Sequence, residues 1–125
     1  DTADAYGGGR SESWIGEWLA TKGNAVRDAL VIETKTYNPM AEGEDCGLAR
    51  ARVVRQIETS LRRLGVERVG LYLAHAFAAG VRLEETLNAF DEPVRRHGII
   101  RGRTIPLLPE LFHVPCHLEG SHARQ

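Results

Sequence analysis

Four residues of this 125-residue chain, Asp1, Tyr6, Lys35 and His75, have types and spacing that suit a single piece of chemistry. A tyrosine phenol ordinarily titrates near pKa ~10, too high for easy proton exchange at neutral pH. A neighbouring ammonium stabilises the phenolate and brings that proton within reach. A carboxylate beside the lysine keeps it charged and oriented, and an imidazole at the same rim can hydrogen-bond a substrate oxygen. The set therefore suits proton donation to a carbonyl oxygen while hydride arrives at the carbon. The hydride itself must come from a cofactor, because no side chain supplies one.

The elements that must hold these residues alternate. Asp1 to Ala3 read as the last residues of a strand, and Gly7 to Gly9 as a glycine turn. Residues 11 to 21 follow as a helix. Trp14, Ile15, Trp18 and Leu19 are expected on its core face, with Glu12 and Glu17 on the other side. The apolar run at 29 to 35 reads as a buried parallel strand ending on Lys35. Tyr37 to Gly47 is a loop. A helix from about Leu48 to Leu64 carries the stripe Val53, Ile57, Leu61 and Leu64, with Gly65 where a left-handed cap belongs. Val69 to Ala74 is the next strand and leads into His75. Residues 83 to 96 form a further helix with Leu83, Leu87, Phe90 and Val94 on one face. Pro93 is expected to kink it or end it near Glu92. Ile99 and Ile100 start another strand. Such alternation implies a parallel sheet with helical crossovers, and Asp1/Tyr6, Lys35 and His75 all fall at the same end of successive units. Barrels of this architecture place their active sites at that end.

Composition narrows the classes. With 42% hydrophobic and 26% charged residues the chain reads as one ordinary globular unit. A net charge of −1 offers no grip on nucleic acid or anionic membrane. The cluster Arg50, Arg52, Arg55, Arg62 and Arg63 reads as a solvated helix face. No apolar run approaches the ~20 residues of a membrane span. The two cysteines, Cys46 and Cys116, stand in unlike contexts and form no disulfide framework, so a cytoplasmic setting is expected. The sole Met is Met40, which leads us to expect a processed or truncated start.

Other features read more plainly. Gly7-Gly8-Gly9 lacks the spacing and the Lys-Ser/Thr of a phosphate loop and is a turn. His113, Cys116, His117 and His122 are ligand types without a closed zinc module, so no metal site is expected. Acidic neighbours make Cys46 a poor nucleophile. Trp14 and Trp18 are expected in the core. Tyr37, Asn38 and Met40 are placed at the rim by position alone.

The segments DTADAYGGGRSESWIGEWL, VIETKTYNPM, SLRRLGVERVGLYLAH and LEETLNAFDE resemble, in order and spacing, those of an aldo-keto reductase. The resemblance covers residues 1 to about 102. It implies a (β/α)8 TIM barrel that reduces aldehydes and ketones with NADPH. It further implies Tyr6 as the acid, Lys35 as the modulator of its pKa, Asp1 as the lysine's partner and His75 as the carbonyl orienter. This sequence also departs from the family. Gly70 stands where an acidic residue is usual, HAFAAG lacks the usual proline or acidic residues, and Pro93 replaces an aliphatic residue. After Ile100-Arg101-Gly102, the run Arg103-Thr104-Ile105-Pro106 abandons the expected strand, and the Ser-Asn pair that holds the nicotinamide is absent.

A whole barrel needs roughly 250 residues. The expected architecture is therefore a partial α/β barrel, about the second through fourth strands plus a stub of the fifth, over 1–102. Residues 103–125 are expected to be an irregular, disordered tail. The cofactor-binding residues are expected outside this segment, with NADPH binding by the chain weak or absent. Two alternatives stand beside a reductase fragment. One is a catalytically incompetent half-barrel that self-associates through open sheet edges; the other is an unproductive truncated or frameshifted product.

Overall fold

The computed structural model describes residues 1–99 and the backbone of residues 101–104. Helix α1 (Arg10–Ala20) and the short α2 (Asn24–Asp28) precede strand β1 (Glu33–Thr36). Helix α3 (Arg50–Leu64), strand β2 (Leu71–Ala74), helix α4 (Leu83–His97) and strand β3 (Arg101–Thr104) follow. The three strands form one parallel sheet in the order β1-β2-β3, with Lys35 level with Leu73 and Leu73 level with Arg103. Residues 2 to 4 extend it as a fourth line, since Thr2 and Asp4 N–H donate to the Glu33 and Lys35 carbonyls at 2.9 Å each. This is the spacing of a parallel ladder, so the expected strand stub at the N-terminus is present as pairing.

The core lies between the sheet and the helices that cross over it. Val53, Ile57, Leu61 and Leu64 of α3 are all buried, as their spacing requires, and they pack with Tyr72, Ala74, Ala89 and Phe90. Gly65 caps α3 in the left-handed conformation. Tyr72 is fully buried and donates its hydroxyl to the Val53 carbonyl at 3.0 Å. At Gly70 a Cβ would stand 2.5 Å from Val31 Cγ1, so a side chain there would require the exposed Val31 side chain to shift.

Several expectations are corrected. The run 29–35 is not all strand: α2 ends at Asp28, Leu30 and Val31 are exposed, and β1 spans only Glu33–Thr36. The reason is pairing, since the β2 ladder begins where Gly70 and Leu71 N–H both reach the Ile32 carbonyl. On α1 the buried positions are Glu12, Gly16 and Leu19, while Trp14 (64% exposed) and Trp18 (47%) face outward. The helix is rolled so that a carboxylate, not the indoles, meets the sheet. Arg52, assigned to a solvated face, is buried.

On α4, Phe90 is buried and Val94 partly so, but Leu83 and Leu87 are exposed. Helix α4 continues through Pro93 to His97. An interior proline costs about 3 kcal/mol. Burial works against that cost, since Pro93 lies with Ala89 and Phe90 on the buried face of α4. The last strand starts at Arg101 and runs to Thr104, two residues beyond the expected break at Gly102. Residues 105–125, with the tail and its histidines, lie outside the described residues, as does Ile100.

Candidate active site

Alternation along β1 decides which groups meet. Side chains of successive strand residues point to opposite faces. Glu33 and Lys35 therefore share one face, Thr34 and Thr36 the other. The N-terminal segment pairs with β1 and obeys the same rule, so Asp1 lies with Lys35 while Thr2 and Asp4 face the helices.

On the first face the four expected residues converge. Lys35 Nζ donates to Asp1 Oδ1 at 2.5 Å and to the Thr2 carbonyl at 3.1 Å. Glu33 Oε1 is 3.6 Å from the same ammonium. The ammonium also lies 5.7 Å from the centre of the Tyr6 ring. The Tyr6 and His75 rings meet edge to face, with centroids 5.6 Å apart. Lys35 is nearly buried, whereas Tyr6 is 41% exposed and can meet a ligand.

Tyr6 is carried by the glycine turn. Gly7, Gly8 and Gly9 all have positive φ (61°, 66° and 92°), a region that side chains disfavour. A Cβ at Gly9 would also stand 2.5 Å from Arg63 Cζ. The turn is thus a conformational device, as the sequence reading holds.

His75 ends the strand that pairs with β1, and its N–H donates to the Thr36 carbonyl at 2.9 Å. Burial, followed by the Lys35 charge, pushes the imidazole pKa below its usual 6.5. The ring is therefore uncharged at neutral pH. Asn38 Nδ2 lies 3.2 Å from His75 Nδ1. An amide nitrogen only donates. Nδ1 must then accept, which leaves the ring proton on Nε2, free to donate elsewhere.

The second face holds two buried ionic clusters that the sequence reading missed. Thr34 Oγ1 donates to Glu12 Oε1 at 2.6 Å, and Arg63 Nη1 donates to Glu12 Oε2 at 3.2 Å. Thr36 Oγ1 donates to Asp4 Oδ2 at 2.6 Å and accepts from Arg52 Nη1 at 2.7 Å. Burial raises the Asp4 carboxyl to about 6, against the lowering effects of Thr36 and Arg52. Among the described residues, Asp4 Oδ1 has no hydrogen-bond partner. Glu33, also missed, was legible from its two-residue spacing to Lys35. Asn38, placed at the rim by position, proves to be the partner of His75. Surface clefts of about 550 and 520 Å³ run along α3 and α4, both bordered by Arg50 and Glu92, and neither touches the four residues.

Residues 1–104 match the model of the aldo/keto reductase family. Among curated proteins, the chain is 35% identical over 104 residues to the uncharacterized oxidoreductase YrpG of Bacillus subtilis, covering 76% of this chain and 32% of that protein. It is 38% identical over 93 residues to the aldo-keto reductase YhdN of the same organism, covering 74% and 28%. Among solved structures it resembles the aldo-keto reductase AKR11C1 of Bacillus halodurans in its holo form, with TM-score 0.72 and 27% identity over 83% of this chain and 35% of that one. It also resembles the thermostable aldo-keto reductase Tm1743 in complex with epalrestat, with TM-score 0.70 and 36% identity over 83% and 34%. The chain spans about a third of the length of the relatives it matches.

Proposed function

The chain belongs to the aldo/keto reductase family of oxidoreductases, and from that membership we propose that its chemistry is reduction of aldehydes and ketones, with Tyr6 as proton donor. The observation that carries the proposal is the meeting of Lys35 with Asp1 on one side and the Tyr6 ring on the other, with His75 against that same ring. NADPH, the cofactor this reading implies, would supply the hydride when bound. The donor set fits the other half of that reaction. His75 Nε2–H orients the carbonyl oxygen, and Tyr6 Oη gives its proton to that oxygen as negative charge develops there. The tyrosinate that remains is stabilised by the Lys35 ammonium, which Asp1 and Glu33 hold in place. The product is the alcohol, and Tyr6 recovers its proton from solvent through its exposed side. We assign none of the described residues to the cofactor's phosphates, and the isolated chain is expected to bind NADPH weakly or not at all. Fluorescence titration showing micromolar binding by the 125-residue chain would overturn that expectation.

The test of Tyr6 needs a complete barrel, made by carrying residues 1–104 in place of the matching segment of a full-length family member. NADPH-dependent reduction of an aldehyde panel by this protein, and its loss in Tyr6→Phe, support the reading. Turnover unchanged by the substitution removes Tyr6 from the role.

A second behaviour follows from the sheet. Among the described residues, residues 1–4 and β3 form its two edges. Open edges template pairing with another chain, and we propose self-association of the isolated chain through them. Light scattering that shows only a monomer at millimolar concentration excludes it. No described helix is long and apolar enough to cross a membrane, and a cytoplasmic setting stays part of the proposal.

A further inference from the structure

Arg52 is 2% exposed and projects from the first turns of α3 beneath the loop that joins β1 to α3. Its guanidinium has five N–H donors in a fixed planar fork. Nε donates to the Asp45 carbonyl at 3.2 Å. Nη1 donates to Thr36 Oγ1 at 2.7 Å and to the Gly47 carbonyl at 3.2 Å. Nη2 donates to the Asn38 carbonyl at 2.6 Å, leaving one N–H for Asp4 Oδ2, 3.9 Å away. Three of these acceptors are backbone carbonyls spread over residues 38 to 47, and the fourth is the hydroxyl of the residue next to Lys35. One buried group thus ties down both ends of the loop.

The loop meets the rim through the Asn38 side chain, which lies on His75 Nδ1. We infer that Arg52 is a positioning residue: by fixing the Asn38 backbone it sets the Asn38 amide against His75 Nδ1 and so holds the imidazole proton on Nε2. The chain Arg52–Asn38–His75 rests on the reductase reading only for the use made of that proton. A lysine cannot replace Arg52, because three donors on one nitrogen cannot meet four acceptors lying around a planar fork. Asp4 and Asp45, whose Oδ2 lies 3.8 Å from Nε, balance the guanidinium charge.

The test reads the ring nitrogens of His75 by NMR in the full 125-residue chain, with His75→Gln to assign the signals. This measurement requires no catalysis, so loss of the reductase reading and loss of this inference are separable. In the wild-type chain Nε2 carries the proton. In Arg52→Lys the preference for that tautomer falls about tenfold and amide exchange in residues 38–47 accelerates about tenfold, the scale of one net hydrogen bond. Asn38→Ala, at a half-buried position outside α3, lowers the tautomer preference to the same extent and leaves loop exchange slow. An Arg52→Lys chain that folds with both readouts unchanged overturns the inference. So does an Asn38→Ala chain with an unchanged tautomer. If Arg52→Lys does not fold, the wild-type guanidinium decides: slow exchange of its protons, with through-space contacts to Asn38, supports the clamp, and a freely rotating guanidinium overturns it.

Discussion

Strand β1 carries two ionic systems one residue apart, and they are built in opposite ways. On the face of Glu33 and Lys35, a single ammonium is shared among Asp1, Glu33 and a tyrosine ring, and the Asp1 side chain is 60% exposed. On the face of Thr34 and Thr36, each carboxylate lies under a helix, completely buried, with a threonine hydroxyl and an arginine on it. The first system is open on the side of Tyr6 and Asp1, and proton transfer to a ligand requires such access. The second is closed, and its hydrogen bonds link α1 and α3 to β1. Charge near a strand end is thus not evidence of chemistry; access to the charge is.

The largest effect expected of this contrast is on turnover. In the complete barrel, Tyr6→Phe should lower the rate by about 10²–10⁴-fold, the usual worth of a positioned proton donor. Its unfolding free energy should change by less than about 0.5 kcal/mol, as for exposed positions generally. A variant that loses stability but keeps its rate would invert the comparison.

Arg52→Met is next. Removing one partner of a buried pair leaves the other charge uncompensated, at about 3–5 kcal/mol. Asp1→Asn at the open rim should cost about 1 kcal/mol or less. Urea unfolding of the two chains reads the difference, and equal costs would erase the distinction between the faces.

The pH dependence sharpens it further. The folded-state pKa of Asp4 is raised from 3.8 to about 6, so the folded chain holds that proton more tightly than the unfolded one. Its contribution is present at low pH and lost as pH rises between those two values, by about 3 kcal/mol in all. His75 works in the opposite direction: its lowered pKa makes stability rise as pH climbs toward 6.5. Asp4→Asn should remove the first slope and leave the second. Unfolding midpoints from pH 4 to 7 measure both, and an unaltered acid slope would show that Asp4 does not titrate in that window. The smallest effect belongs to exposed pairs such as Arg50–Glu92. Arg50→Ala should cost under about 1 kcal/mol and lose even that at high salt.

How much of this was legible depended on where each partner lies in the chain. The α3 stripe, its Gly65 cap and the order of strands follow from local periodicity, which is why they were read correctly. That Asp1, Tyr6, Lys35 and His75 meet was legible because parallel topology brings successive strand ends together. Glu12 and Arg52 were not. An apolar stripe shows which face of a helix avoids water, but the polar face is buried whenever a distant partner satisfies it. Glu12 is satisfied by Thr34, 22 residues away, and by Arg63, 51 residues away. The same satisfaction rolled α1 and turned Trp14 and Trp18 outward, against the reading that put aromatics inside. Of the two outcomes expected at Pro93, an end near Glu92 is excluded, because α4 runs on to His97 with Pro93 buried in its packed face, which local propensity does not show.

The space beside Gly9, where a Cβ would stand 2.5 Å from Arg63 Cζ, is shared between the turn and the buried cluster below it. Arg63 crosses that space to reach Glu12, and the turn above it carries Tyr6. A side chain at position 9 would push the flexible guanidinium aside, and the φ of 92° would strain it even then. The perch of Tyr6 is thus guarded by its own backbone rather than by the arginine beneath it.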